Sequence, residues 1–204
     1  MSQLSDKIDR LFAERKWKAA RALIEKAIAK RGDAPGHWLL ARLATTHYEE
    51  RKYSKALELI EEARKLAPRC PLVLWDYSGI LLALGRTREA IEVCLSLLKR
   101  GPLAIARDEC GEGEKWAVSL LTDCLFRVGV CLKLEHEWDK ARQFFAGYVD
   151  VVDAGAASIY LGMDLYKHLT EMPPRGDETV KSSKERSPQK RLQRVRKQVL
   201  RLVG

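Results

Sequence analysis

The sequence contains no long apolar run and few cysteines. No stretch approaches the roughly 18 apolar residues that a membrane-spanning helix needs, and the N-terminal residues MSQLSDKIDRLF contain no apolar signal-peptide core. The five cysteines are an odd number without a CxxC pair, which favours plain core residues over a redox role. We therefore expect a cytoplasmic protein whose thiols are reduced and mostly buried.

The sequence also lacks catalytic motifs. The four histidines are scattered without HxxxH or HExxH spacing, and no GxSxG, Walker A or GxGxxG motif occurs. A glycine-containing loop precedes a predicted helix that starts near Glu114, but Asp108, Glu109 and Glu112 in this loop would repel a phosphate. These absences predict a protein that is not an enzyme, with no cofactor, no metal and no small-molecule substrate.

Positive charge is concentrated at the C-terminal end. Residues 175–204 hold ten lysines and arginines against three acidic residues, whereas the first 174 residues hold 27 basic and 25 acidic residues. The formal net charge of +9 therefore describes a basic tail and not the body of the protein.

A short pattern recurs along the chain. It consists of an aromatic residue or threonine, an alanine three positions later, and an apolar residue four positions after the alanine. The alanines are Ala20, Ala56, Ala90 and Ala141, at steps of 36, 34 and 51 residues, the last being 34 residues plus a 17-residue insertion. This period argues against a generic helical bundle, and HEAT repeats of about 40 residues or more fit it less well.

Over residues 3–153 the chain resembles the tetratricopeptide repeat family, whose signature is W-x2-L-G-x2-Y, then A-x3-F, then P. The second repeat fills these positions with Leu40, Leu43, Ala44, His47, Ala56, Ile60 and Pro68. The third fills them with Leu74, Tyr77, Ser78, Leu81, Ala90, Cys94 and Pro102, and the fourth with Leu125, Val128, Gly129, Leu132, Ala141 and Phe145. The first repeat matches least, and the fourth has Asp153 in place of proline.

The resemblance implies an all-α solenoid of about four hairpins with a capping helix. We expect the array over residues 1–171, with hairpins at about 3–34, 37–70, 71–104 and 116–153 and an insertion over 103–119. A capping helix over 156–171 is expected to cover the last hairpin with Ile159, Met163, Tyr166 and Leu169. Residues 172–204 are predicted to form a linker and a basic amphipathic tail helix that starts at Ser187-Pro188.

The resemblance also implies a concave groove, lined by the first helix of each hairpin, in which peptides bind. The aromatic and apolar residues that correspond to it are Phe12, Trp38, Thr45, Tyr48, Trp75, Leu82, Phe126 and Val130. Of the positions that clamp a C-terminal carboxylate in the family's best-known members, only Arg42 suits that role here. The predicted function is a scaffold or adaptor that binds a helix or extended peptide of another protein. In the alternative, Trp38 and Trp75 are packed between hairpins.

The basic tail leaves a second function open, which is binding to nucleic acid or to an anionic membrane surface. Its basic residues are Lys190, Arg191, Arg194, Arg196, Lys197 and Arg201, and they flank an apolar stripe that includes Leu192, Val195 and Val199. The stripe either occupies the aromatic groove or the tail stays free. The charge of the tail, beside a slightly positive body, favours the free tail.

Overall fold

A computed structural model of the protein describes residues 3–31, 36–174 and 187–201. These residues form an all-α array without strands, in which neighbouring helices pack in adjacent pairs. The chain divides into two compact units, Met1–Leu84 and Gly85–Gly204, and each is described by itself. No helix among the described residues is both long and apolar enough to cross a membrane.

In the first unit, the described residues 3–31 and 36–84 form five helices. They are α1 (Gln3–Ala13), α2 (Trp17–Arg31), α3 (His37–Glu49), α4 (Tyr53–Leu66) and α5 (Pro71–Ala83). Proline at the first position of α5 costs no hydrogen bond, because the amide there has no partner within the helix. Helices α1 and α2 pack together, α3 packs on α2, α4 and α5, and Ile8, Ile24, Leu39 and Leu43 form the buried core.

In the second unit, the described residues 85–174 and 187–201 form six helices. They are α6 (Thr87–Arg100), α7 (Pro102–Ala106), α8 (Glu114–Leu134), α9 (Trp138–Val152), α10 (Gly162–Thr170) and α11 (Pro188–Val199). Helix α8 packs on α6, α7 and α9, and α11 packs on α9 and α8. The predicted hairpin over 71–104 is divided, with α5 in the first unit and α6 in the second.

The period of the sequence reappears in the backbone. Between the two helices of each predicted hairpin lies one residue in the left-handed conformation: Arg15 (φ 53°), Arg51 (φ 60°), Gly85 (φ 73°) and His136 (φ 60°). Each lies five positions before its repeat alanine, and all four alanines are fully buried. After three of these turns an amide bonds a carbonyl five residues back, as in Lys52 to His47, which is how a left-handed residue ends a helix.

The capping helix differs from the prediction. It covers Gly162–Thr170 and not 156–171, and the four side chains predicted to cover the last hairpin are exposed, with Met163 at 75% and Tyr166 at 64%. The amide of Ile159 and the hydroxyl of Ser158 bond the carboxylate of Asp123 instead. These bonds hold the backbone before α10 outside a helix, because Ile159 donates its amide to a side chain.

The cysteines agree with the prediction that most are buried. Cys70, Cys94, Cys124 and Cys131 are buried, Cys110 is half-buried, and all five are free thiols. Burial raises the pKa of the Cys131 thiol, and burial followed by the neighbouring Cys94 raises that of Cys124. These thiols therefore remain protonated and behave as small apolar core residues.

Candidate functional site

The first part of the predicted groove lies where α1 meets α3. The guanidinium of Arg42 lies 5.5 Å from the ring centroid of Phe12 and 5.4 Å from that of Trp38. Its Nη2 is 3.3 Å from a carboxylate oxygen of Asp9. The planar cation thus lies over two aromatic rings, a geometry that is favourable because the ring faces are electron-rich.

Phe12 and Trp38 also contribute to the core. Both are half-buried and pack against the cluster that contains Ile8 and Leu39. Phe12 additionally meets Trp17 edge-to-face at 5.3 Å between ring centroids. Part of each ring is therefore committed to packing within the unit, and only the remaining surface is available to a partner.

The side of α3 that carries Trp38 and Arg42 continues with Thr45 and Tyr48. Thr45 is half-buried and its hydroxyl donates to the carbonyl of Ala41 at 3.0 Å. Tyr48 is half-buried and lies 5.5 Å from Tyr53 between ring centroids. Trp38, Arg42, Thr45 and Tyr48 follow one another at steps of three or four residues, which places them on one stripe of the helix.

His47 lies next to this stripe and is half-buried. Burial and the nearby charges of Arg21 and Lys52 lower its pKa, so the imidazole is neutral near pH 7. Arg21 donates to the carbonyl of Thr46 at 3.0 Å and pairs with Glu50 at 2.9 Å. The hydrogen bonds from Lys52 and then Arg21 lower the pKa of Glu50 to about 2. This group of residues joins α2 to the end of α3.

Helix α5 brings Trp75 and Leu82 to the first unit. Both are half-buried, and the buried Gly79 lies between them at helical spacing. Helix α5 contacts α3 within the first unit. This unit contains six of the eight groove residues predicted from the sequence. All six remain partly accessible.

The other two predicted groove residues, Phe126 and Val130 on α8, are buried, with 2% and 7% of their surface exposed. Tyr160 stacks on Phe126 with ring centroids 4.1 Å apart and planes 16° apart. His168 meets the same ring edge-on at 5.6 Å. The predicted groove on α8 is therefore covered by the chain that follows α9, and no pattern in the sequence indicated this cover.

Three charged residues on the same side of α8 were not predicted as functional. Asp123, Arg127 and Lys133 are all buried, at 3%, 4% and 9% exposure. Burial raises the pKa of Asp123 to about 6. Burial lowers the pKa of Arg127, but Tyr160, Cys94 and Cys124 together raise it above its ordinary value. The available signal was their occurrence at helical spacing in an otherwise apolar helix, since charges are rarely buried without partners.

The tail helix α11 is docked and not free, contrary to the expectation. Leu192, Val195 and Val199 are exposed by 4% or less, and they pack against α9 and α8, not against the predicted aromatic groove. Asp150 pairs with Arg191 at 3.0 Å and with Arg194 at 2.5 Å.

The charge of the tail is also offset at the end of α6. Arg196 donates to the carbonyls of Leu98 and Lys99, which belong to the last turn of that helix, where the helix dipole is negative. The expectation of a free tail is therefore wrong, because Asp150 and these carbonyls offset the charge of α11 locally, whatever the net charge of the body. Residues 175–186, within the predicted linker, lie outside the described residues.

Comparison with known families supports the assignment of the repeats. Residues 41–105 match the family model described as tetratricopeptide repeat, which supports the resemblance to that family in this part of the chain. No curated protein matches the sequence. Tetratricopeptide repeats generally mediate protein–protein interactions and typically form non-enzymatic scaffolds.

Proposed function

We propose that the protein is a scaffold or adaptor that binds a segment of a partner protein on the side of α1, α3 and α5. The observation that carries this proposal is the stripe of accessible aromatic residues around Arg42, which lies across Phe12 and Trp38. Aromatic and arginine side chains are the residues that most often dominate binding energy at protein interfaces.

The chemistry of this surface favours an apolar helix or extended peptide as the ligand. Trp38, Tyr48, Trp75 and Leu82 offer apolar area, and the charges beside them are few. Arg42 is held by Asp9, so its guanidinium is already ordered and costs little further entropy when a ligand binds. An ordered cation among rings also suits a ligand that presents a carbonyl or carboxylate next to its apolar residues.

A positional crosslinking experiment tests this proposal. A photoreactive phenylalanine analogue is introduced in place of Thr45, on the stripe, and in a matched protein in place of Glu58, which is exposed on α4. We expect one partner to be captured in cells from position 45 and not from position 58. This capture should be lost when Trp75→Ala is added. Equal capture from both positions, or capture from position 58 alone, would place the partner elsewhere.

A second candidate function concerns the outer side of α11. With the apolar stripe buried, Lys190, Arg194, Lys197 and Arg201 remain exposed at steps of three or four residues, so they form one basic row along the helix. We propose this row as the site for nucleic acid or an anionic membrane surface. Binding of the full chain to single-stranded RNA or to acidic vesicles should weaken steeply with salt, and Lys197→Glu with Arg201→Glu should abolish it.

A further inference from the structure

The side of α8 that is covered has the composition of a binding surface. Asp123, Phe126, Arg127, Val130 and Lys133 follow one another at steps of three, one, three and three residues, and together they are called the α8 row. In this order, the side chains on this side of the helix are an acid, an aromatic ring, a base, an apolar group and a second base. A helix side that is permanently part of a core is normally apolar, because a buried charge costs free energy unless it is paired.

Each polar member of the α8 row is satisfied by one segment, Ser158–Met172, which is called the strap. Asp123 accepts the hydroxyl of Ser158 at 2.6 Å and the amide of Ile159 at 3.2 Å. Arg127 donates to the hydroxyl of Tyr160 at 2.7 Å. Three consecutive residues, Ser158 to Tyr160, thus contact the row through a hydroxyl, a backbone amide and a phenol. Grooves that bind extended peptides use the same combination of backbone and side-chain contacts.

The far end of the row is satisfied in the same way. Lys133 lies 3.2 Å from Nδ1 of His168 and pairs with the carboxylate of Glu171. Burial, and then the charge of Lys133, lower the pKa of His168, so the ring is neutral near pH 7 and Nδ1 can accept a hydrogen bond. The strap therefore engages the full length of the row.

The strap nevertheless leaves most of its own apolar side chains in water, although Met172 at its end is buried. Leu161, Met163 and Tyr166 are exposed by 68%, 75% and 64%, whereas Leu192 and Val199 of the docked helix α11 are exposed by no more than 1%. Both segments are amphipathic, but only α11 turns its apolar side inward. The strap is held chiefly by polar contacts and by the ring of Tyr160, which exchange with water or with a competing ligand at little net cost.

We propose that the strap is a built-in occupant of the α8 row, and that a partner segment of the same chemistry replaces it. The partner is a peptide that is extended at a hydroxyl residue and a tyrosine two positions later, and helical after them, with a carboxylate about eleven positions after the tyrosine. This is the spacing of Ser158, Tyr160 and Glu171 on either side of α10. This site belongs to the second unit and does not depend on the surface proposed on α1, α3 and α5.

A labelled peptide that corresponds to residues 156–173 tests the proposal with the full-length chain. Its apparent affinity depends on the fraction of molecules in which the strap is open. Tyr160→Ala in the chain removes the stacking on Phe126 and the bond to Arg127, so this variant should bind the peptide at least about tenfold more tightly than the wild type. Met163→Ala, at an exposed position of the strap, is the matched control and should bind like the wild type.

Two further measurements make each outcome decisive. A peptide with Tyr160→Ala should not bind any of the proteins, since it lacks the ring and the hydroxyl. In the wild type, hydrogen exchange in increasing urea should show that strap amides open locally with little urea dependence, while amides of α9 exchange only on global unfolding. The proposal would be overturned if the strap amides exchanged only on global unfolding, as those of α9 do. Equal peptide affinity of the Tyr160→Ala and Met163→Ala variants would also overturn it.

Discussion

Val195 of α11 packs directly onto Gly147 of α9: a β-carbon placed on Gly147 would lie 2.5 Å from Cγ1 of Val195. The glycine therefore allows the tail helix to approach α9 closely. Gly147→Ala should increase the intrinsic helix propensity of α9 by about 1 kcal/mol, yet it should displace α11. We expect amides of α11 to lose about tenfold of their protection from hydrogen exchange, given a packing cost of about 1–3 kcal/mol.

The matched control for this substitution is Gly162→Ala, where a β-carbon meets no atom within 4 Å. This variant should leave the protection of α11 unchanged. If Gly147→Ala also leaves it unchanged, α11 does not pack on α9 in solution.

The ion pairs of Asp150 should contribute measurably to the docking of α11. Asp150→Asn removes the charge that faces Arg191, which is buried, and Arg194. Because a buried cation is left without its counter-charge, we expect the free energy of unfolding to fall by about 1–3 kcal/mol. Asp153→Asn, at an exposed position next to the end of α9, should have almost no effect in the same urea titration, and an equal loss in both variants would argue against these pairs.

Asp123 should make stability depend on pH. Burial raises its pKa to about 6, although the hydrogen bond from Ser158 and the charge of Arg127 act in the opposite direction. The folded state then binds more protons than the unfolded state between about pH 4 and pH 6. As the pH rises from about 4 to about 6, the contribution of Asp123 to the free energy of unfolding should therefore fall by up to about 3 kcal/mol. Above this range it should remain constant.

The comparison of the wild type with Asp123→Asn isolates this contribution from those of other carboxylates. The difference in the free energy of unfolding between the two proteins, measured by urea titration at several pH values, should change between pH 4 and pH 6 and be flat from pH 7 to pH 8. A difference that does not vary with pH would mean that the carboxylate is solvated.

Glycine substitutions at the turn between α3 and α4 test the repeat register, because Arg51 there has a left-handed conformation. Arg51 has a φ of 60°, which is unfavourable for a residue with a β-carbon. Arg51→Gly should therefore raise the free energy of unfolding by about 0.5 kcal/mol. Lys52→Gly, at the next position with a φ of −88°, should lower it, because glycine there only adds entropy to the unfolded chain. Opposite signs in thermal melts support the register, and a loss in both variants contradicts it.

The hairpins could be predicted from the sequence because their determinants are local. Ala20, Ala56, Ala90 and Ala141 mark close approaches at a fixed period, and each is fully buried. The start of α8 at Glu114 and of α11 at Pro188 also agree with the prediction. Local turns and small residues are sufficient to define these elements.

The strap and the docked tail could not be predicted in the same way. The strap is oriented by two hydrogen bonds with charged residues on α8, more than 30 positions earlier in the sequence: Ser158 donates to Asp123, and Tyr160 accepts from Arg127. The periodicity of its apolar residues indicated a helix but pointed to the wrong buried side. The docking of α11 depends on Asp150, Gly147 and the carbonyls at the end of α6, none of which carries a sequence signal for that contact.

The proposed binding of a partner on the side of α1, α3 and α5 depends on the aromatic residues there, and above all on Trp75. The dissociation constant of the partner segment captured at position 45, compared between Trp75→Ala and Trp138→Ala, tests it most directly. Trp138 is also half-buried, but it lies at the start of α9 in the second unit. At a temperature where both variants are folded, Trp75→Ala should bind at least about thirtyfold more weakly than the wild type, which corresponds to about 2 kcal/mol, and Trp138→Ala should bind normally. Unchanged binding by Trp75→Ala, with only a lowered melting temperature, would show that Trp75 is a packing residue and contradict the claim.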